Sequence, residues 1–169
     1  WIILSYPDSR IGLSIRKNYW KKKLRLCGKN IEIRRGSAIG FPSIIEIGDN
    51  FILGNFAHIT AAGSKGIYIG NNVSISRGTY VHGSNHKFDN PNKPIMEQGT
   101  ESASLEYNDK LYSIVVCDDV WIGSNVVLLS GTHLSNGCIV SSGSVVSGFY
   151  EEYSIIGGNP ARFVKKRFK

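Results

Sequence analysis

Residues 116–146 read VCDDVWIGSNVVLLSGTHLSNGCIVSSGSVV, and an aliphatic side chain returns every six positions: Val116, Ile122, Leu128, Leu134, Val140 and Val146. Ile, Leu and Val make up 42 of the 169 residues, about one in four. Six of them at fixed spacing arise by chance roughly once in 4,000 trials, before the choice of frame is counted. A second register runs beside the first: Val120, Val126, Thr132, Cys138 and Ser144 each lie four residues after an anchor and are small or β-branched. Helices repeat at 3.6 residues and strands at 2.0, so neither explains a period of six.

Working outward, the period recurs with slips. Ile33, Ile39 and Ile45 form one run, Ile47, Leu53 and Ile59 a second, and Ile69, Ile75 and Val81 a third. Turn-prone groups follow several anchors: Gly48-Asp49-Asn50, Gly70-Asn71-Asn72, Cys117-Asp118-Asp119 and Gly123-Ser124-Asn125. Gly and Asn accept positive φ, and Asx side chains satisfy nearby backbone groups. Short strands broken by such corners every six residues wind into a β-solenoid whose anchors stack in one apolar column. A sandwich of many short strands is the alternative, but it predicts alternation rather than a fixed six.

A chain of 169 residues is one ordinary domain with room for a core. Its 41% hydrophobic and 20% charged residues exclude a disordered polymer, and its 19 Gly follow no collagen period. No run approaches the length of a membrane span; the longest near the start is Trp1-Ile2-Ile3-Leu4. The chain opens on Trp1, so a native start upstream is expected, and no signal-peptide pattern is visible. Cys27, Cys117 and Cys138 are odd in number and lack CxxC spacing, which argues against a disulfide framework and for reduced thiols in the cytoplasm. Twenty basic against thirteen acidic residues leave +7, which suits an anionic partner. That charge lies at the two ends and accompanies no RNA- or DNA-binding motif, P-loop or GxGxxG, so nucleic acid is not expected.

Three segments stand outside the repeat. Residues 10–27 read as a basic amphipathic helix within an N-terminal segment 1–28, capping the open end of the solenoid with a solvated Lys/Arg face. Peripheral contact with a membrane surface is its other reading. Within a β-helix domain spanning 29–160, residues 83–113 form an excursion loop rich in Gly, Pro, Asn and Ser, and long loops in compact domains are usually functional. Residues 161–169 form a basic tail, either solvated or holding phosphate through Arg and Lys.

The excursion opens His82-Gly83-Ser84-Asn85-His86. His86 lies where a coil gives way to the loop, so it can face a cleft and act as a general base near neutral pH. His58 and His133 fall five residues after anchors, at expected exposed corners, and are read as structural or peripheral. His82 and His86 with His58 or His133 of a neighbouring chain form an alternative zinc site.

Three blocks carry a resemblance: VWIGSNVVLLSGTHLSNGCIVSSGSVVS (120–147), IIGGNPARFVKKR (155–167) and SNHKFDNPNKPI (84–95). Over roughly residues 28–167 the chain resembles the hexapeptide-repeat acyltransferases, especially the bacterial sugar O-acetyltransferases that act on maltose, galactosides, capsule and lipopolysaccharide. The resemblance implies a left-handed parallel β-helix, a homotrimer with sites between subunits, acetyl-CoA as co-substrate, no metal, and a saccharide acceptor. It implies His86 as the catalytic base. Trp121 is placed at the acetyl end of the CoA, Ser124, Ser142 and Ser147 along its arm, and Arg162 and Lys165 at its phosphates. Asn55, Asn85 and Asp89 are the acceptor-side candidates, and Asp89 or Glu97 the carboxylate candidates beside His86. An amino-sugar N-acetyltransferase is the near alternative; a gamma-carbonic-anhydrase-like zinc enzyme and a non-catalytic solenoid scaffold are more distant ones.

Overall fold

A computed structural model describes residues 2–168. The fold is a β-solenoid with three parallel sheets as its sides. The first side stacks Leu26–Cys27, Ile45–Ile47, Ile67–Ile69, Ile114–Val116, His133–Leu134 and Phe149–Tyr150. The second stacks Glu32–Ile33, Ile52–Leu53, Ser74–Ile75, Trp121–Ile122, Ile139–Val140 and Ser154–Gly158. The third stacks Ala38–Gly40, His58–Thr60, Tyr80–His82, Val127–Leu128 and Val145–Val146. Each coil visits the sides in that order, giving five complete coils and a two-sided sixth.

The six-residue period has a direct physical cause. Most sides are strands of two or three residues; a two-residue strand points one position inward, and three-residue strands such as Ile45–Ile47 and Ile67–Ile69 point two. All six anchors from Val116 to Val146 are buried, and so is the whole second register. The hydroxyls of that register do not sit bare in the core. Thr132 Oγ1 donates to Leu129 O and Val146 O, and Ser144 Oγ to Ser141 O. Burying each large aliphatic anchor contributes about 1.5–3 kcal/mol, so the column dominates stability.

Corners are held by polar ladders. Asn71 Oδ1 accepts the Asp49 N–H, Asp118 Oδ1 accepts the Asn71 N–H, and Asn136 Oδ1 accepts the Asp118 N–H, coil after coil. Asn30, Asn50, Asn72 and Asp119 take positive φ at that same corner. These are the turn groups the sequence marks, and the ladder satisfies backbone donors that a short strand leaves free.

The N-terminal helix spans Arg10–Lys21, not 10–27, because Leu26–Cys27 pairs with Glu46–Ile47 as the first strand. Ser9 caps it by accepting the Gly12 N–H. Its buried stripe is Gly12, Arg16 and Trp20, so the basic face is not wholly solvated. The Arg16 guanidinium is fully buried and donates to Ile33 O, Tyr6 O and Asp8 Oδ1. Asp8 in turn accepts the Arg35 N–H and the Asn55 side-chain amide. The helix therefore closes the solenoid end through one buried ion pair as well as through Trp20 and Leu24.

The C-terminal segment is likewise more than a tail. Ala161–Lys166 folds back as an antiparallel strand on Ser154–Gly158. Lys166 pairs with Glu151, and Arg167 with Asp119 at 2.7 Å. Among the described residues no helix is long and apolar enough to cross a membrane.

Candidate active site

The excursion leaves the solenoid after Tyr80–His82 and returns at Ile114–Val116. It holds two antiparallel ribbons. The first pairs Asn85–His86 with Thr100–Glu101, and the second pairs Leu105–Tyr107 with Lys110–Tyr112. Asn108 and Asp109 both take positive φ, which is what a two-residue hairpin turn between right-twisted strands requires.

The second ribbon lies on the outer face of the first side. Tyr112 is buried there, the Tyr68 and Tyr107 rings pack 4.8 Å apart, and Lys110 Nζ bonds Glu46 Oε1 at 2.9 Å. Burial pushes the Glu46 carboxyl up, but hydrogen bonds from Lys110, Tyr112 and Arg25 outweigh it, and the carboxyl ends below its ordinary range. Burial, with the Glu46 charge, pushes the Tyr112 phenol up to about 12. Next to this cluster the Cys117 thiol stands 3.6 Å from His133 Nε2, and burial raises the thiol and lowers the imidazole. His133 sits inside a strand, edge-on to Phe149 and Tyr107, rather than at an exposed corner. His58 is also within a strand, its imidazole lowered by burial and by His82.

The first ribbon carries His86. Its base is pressed against residues 60–64: Ser84 Oγ donates to Ala62 O at 2.6 Å, and the Gly83 N–H donates to Thr60 O. Gly63 has φ +62, and a Cβ there would lie 2.7 Å from Thr100 Oγ1, so only glycine allows the ribbon this close. Ala62, Gly63, His82, Ser84, Asn85, His86 and Thr100 line a pocket of about 240 Å³. Both imidazoles thus reach one concave surface. Beyond the ribbon, the Gln98 carboxamide accepts the Asn90 N–H and donates to Asn90 O and Lys93 O, bracing an otherwise exposed tip. Gln98 carries no sequence signal beyond its residue type. Asp89 is exposed in this tip, and neither Asp89 nor Glu97 forms a hydrogen bond with His86 among the described residues. A larger cavity of about 430 Å³ at the C-terminal end is lined by Glu151, Glu152, Tyr153, Lys166 and Phe168, with no imidazole.

The other candidates form a second group. Trp121 stands on the second side, 54% exposed, and its Nε1 donates to Ser76 Oγ at 3.2 Å. Ser124 and Ser142 follow on the corner between the second and third sides, where the Ser124 N–H donates to Ser142 Oγ. Small side chains on successive corners leave the backbone open to an extended ligand. Arg162 and Lys165 project from the terminal strand at the edge of the same second sheet. Ser147 is exposed at the corner between the third and first sides. Asn55 lies on the second-to-third corner of the second coil, its amide donating to Asp8 Oδ2 at 2.6 Å and to Arg35 O. The pocket thus brings together His86, Asn85 and His82. Within one chain the Trp121 group lies on a different side. The described residues contain no group of three His, Cys, Asp or Glu that could hold a metal ion, so the zinc arrangement is not assembled within one chain.

A hexapeptide-repeat acetyltransferase of Vibrio cholerae, solved with acetyl-CoA, superposes with a TM-score of 0.78 at 22% identity, over 99% of this chain and 83% of that one. At that identity the superposition shows a shared fold, and the sequence relatives of the chain are named as acetyltransferases. A chloramphenicol acetyltransferase of Klebsiella aerogenes is 32% identical over 132 residues, 76% of this chain and 56% of the relative. The lipopolysaccharide biosynthesis O-acetyl transferase WbbJ of Escherichia coli K12 is 30% identical over 130 residues, 73% of this chain and 61% of its own length. The chain therefore spans under two-thirds of these relatives. A scan against protein-family models matched none.

Proposed function

We propose that the chain is an acetyl-CoA-dependent O-acetyltransferase acting on a saccharide hydroxyl of a surface polysaccharide or its precursor, and the observation that carries it is the braced ribbon presenting His86 in a pocket at the point where the repeat breaks. His86 takes the acceptor hydroxyl proton as the oxygen attacks the thioester carbonyl carbon. The tetrahedral oxyanion, stabilised by a backbone N–H, collapses with cleavage of the C–S bond. The imidazolium returns its proton to the CoA thiolate, and free CoA and acetylated saccharide leave. Trp121 packs beside the acetyl end, the Ser124, Ser142 and Ser147 corners follow the arm, and Arg162 and Lys165 meet the phosphates. Asn85 and Asp89, carried on the same ribbon and tip as His86, contact the acceptor, and Asn55 faces it from the second coil.

His86 and Trp121 lie on different sides of one chain, so the reading requires a second copy. A homotrimer lets the ribbon of one subunit close over the groove of the next. The carboxylate partner of His86 then comes from that neighbour. Three free thiols and the cytosolic co-substrate class support a cytoplasmic place.

A second reading keeps the chemistry and changes the acceptor to a drug-like alcohol. It is favoured by the exposed Phe88, Ile95 and Met96 on the same excursion and by the chloramphenicol-acetylating name of a relative.

The first test is calorimetric titration of CoA into metal-stripped protein. One site per chain is expected, and CoA at a hundred times its Kd should add about 2.7 kcal/mol of stability. Acetyl transfer is then followed with oligosaccharides and with chloramphenicol as acceptors. Failure to bind CoA would overturn the reading; faster turnover of chloramphenicol would select the second acceptor class.

A further inference from the structure

Two corners of the solenoid repeat one arrangement, and they are completed differently. At the C-terminal end Tyr153, with positive φ, lays its ring over Gly137, where a Cβ would lie 2.3 Å from the ring. Arg167 beside it donates to Asp119 Oδ2 at 2.7 Å and to Gly137 O, so its charge is met within the chain. On the second-to-third corner Phe56, also with positive φ, lays its ring over Gly36, where a Cβ would lie 2.4 Å from the ring. The Arg77 guanidinium sits over that ring, 5.4 Å from its centroid. No carboxylate meets it. Arg16, Arg25, Arg34, Arg162 and Arg167 each donate to an oxygen, whereas among the described residues the guanidinium groups of Arg10, Arg35 and Arg77 make no hydrogen bond or ion pair, and of these three Arg77 alone is held on an aromatic ring. The stacking contact fixes the plane of the guanidinium without using its N–H groups. An oriented, exposed fork of unspent donors matches a carboxylate or phosphate.

Position narrows the ligand. Arg77 follows Ser76, the residue whose hydroxyl holds the Trp121 indole. In the proposed site Trp121 marks the acetyl group, and the CoA runs from there toward Arg162 and Lys165 on the last strand. Arg77 lies one coil the other way, on the side from which an acceptor must approach.

We infer that Arg77, oriented on Phe56, binds an anionic group of the acceptor, so that the preferred acceptor is a saccharide bearing a carboxylate or a phosphate. This rests on the acetyltransferase reading for the direction of the groove.

The test titrates a glucuronate-containing disaccharide, glucose 1-phosphate and neutral maltose into the full chain at low and high salt, with CoA titrated separately. The wild type should bind at least one anionic probe tenfold or more tightly than maltose, with the advantage shrinking in salt; which anion binds identifies carboxylate or phosphate. Arg77→Gln should abolish that advantage and leave CoA and maltose affinity unchanged, which also shows the variant is folded. Arg77→Lys should recover only part of it, because the charge remains and the fork does not. Equal wild-type affinity for charged and neutral probes would overturn the inference. A weakened CoA affinity in Arg77→Gln would also overturn it, assigning Arg77 to the CoA groove. Wild-type protein that binds no CoA would fault the acetyltransferase reading, while an Arg77-dependent, salt-sensitive anion site would still stand.

Discussion

The solenoid and its excursion obey different rules. In the coils the anchors and the small second register are fixed by burial, and the corners by their Asx ladders. In residues 83–113 burial fixes almost nothing at the tip, where Phe88, Ile95 and Met96 are exposed, and order comes from Gln98, Ser84 and a glycine contact. A repeat stabilises itself through sameness, so it offers no unique concave surface. The candidate chemistry gathers where the sameness stops.

The sharpest way to break the comparison is His86→Ala. Removing a general base should lower turnover about 10²–10⁴-fold. Melting temperature and CoA affinity should stay as they are, measured by calorimetry beside the acetyl-transfer rate. Unchanged turnover would remove His86 from the mechanism. Leu128→Ala makes the opposite cut. Its side chain is fully buried, and the cavity should cost about 2–5 kcal/mol in denaturant unfolding. Met96→Ala, at 80% exposure, should change stability by less than about 0.5 kcal/mol. Similar losses for both would mean that the tip is packed in solution.

The N-terminal cap tests whether ionic contacts can match apolar ones. Asp8→Ala leaves the Arg16 guanidinium buried without its carboxylate. The expected cost is about 3 kcal/mol, at the low end for a buried pair because Asp8 is a quarter exposed. The double variant Asp8→Ala with Arg16→Met, which removes both charges of the pair, should recover part of that loss in the same unfolding measurement.

A smaller effect than that of the cap belongs to the second ribbon. The Glu46 carboxyl is depressed in the folded chain, so its contribution is present above the ordinary glutamate range and is lost as pH falls through the lower folded value. Glu46→Gln lacks that component and should lose stability less steeply on acidification. The difference is at most about 1 kcal/mol, since Lys110 is half exposed. Parallel pH–stability curves would remove Glu46 from the acid limb.

Legibility in the sequence follows the same division. The anchors Val116 to Val146 and the small second register are periodic because a core demands it, and their inward placement was readable from spacing alone. The turn groups at Asp49, Asn71 and Asp118 were readable because Asx residues have few other reasons to recur there. The end of the helix at Lys21 was not, because Leu26 and Cys27 continue an apolar pattern that a strand and a helix share over so few residues. The ribbon over 105–112 carried a signal, Leu-Glu-Tyr-Asn-Asp-Lys-Leu-Tyr, whose paired turn residues lie between matched strands; it was hidden inside a long stretch without periodicity. Arg16 escaped because composition treats Arg as a surface residue, and only Tyr6, Asp8 and Ile33 together make its burial tolerable. The loop position of His86 was visible from where the period fails, but its pocket depends on Ala62, Gly63 and Thr100, which no local pattern links to it.

The reversal of the last strand has a consequence for self-association. A stack of parallel strands ends in a row of unpaired backbone groups, an open template on which another chain could add in register. Ala161–Lys166 occupies that row on the second sheet in the antiparallel sense, with Arg162, Lys165 and Lys166 along it. A second molecule approaching this edge meets a strand of the wrong polarity and a line of like charge. The helix Arg10–Lys21 covers the opposite end. On its second sheet a protein built by repetition thus carries the instruction to stop repeating, which works against growth of a self-templating edge into a fibre.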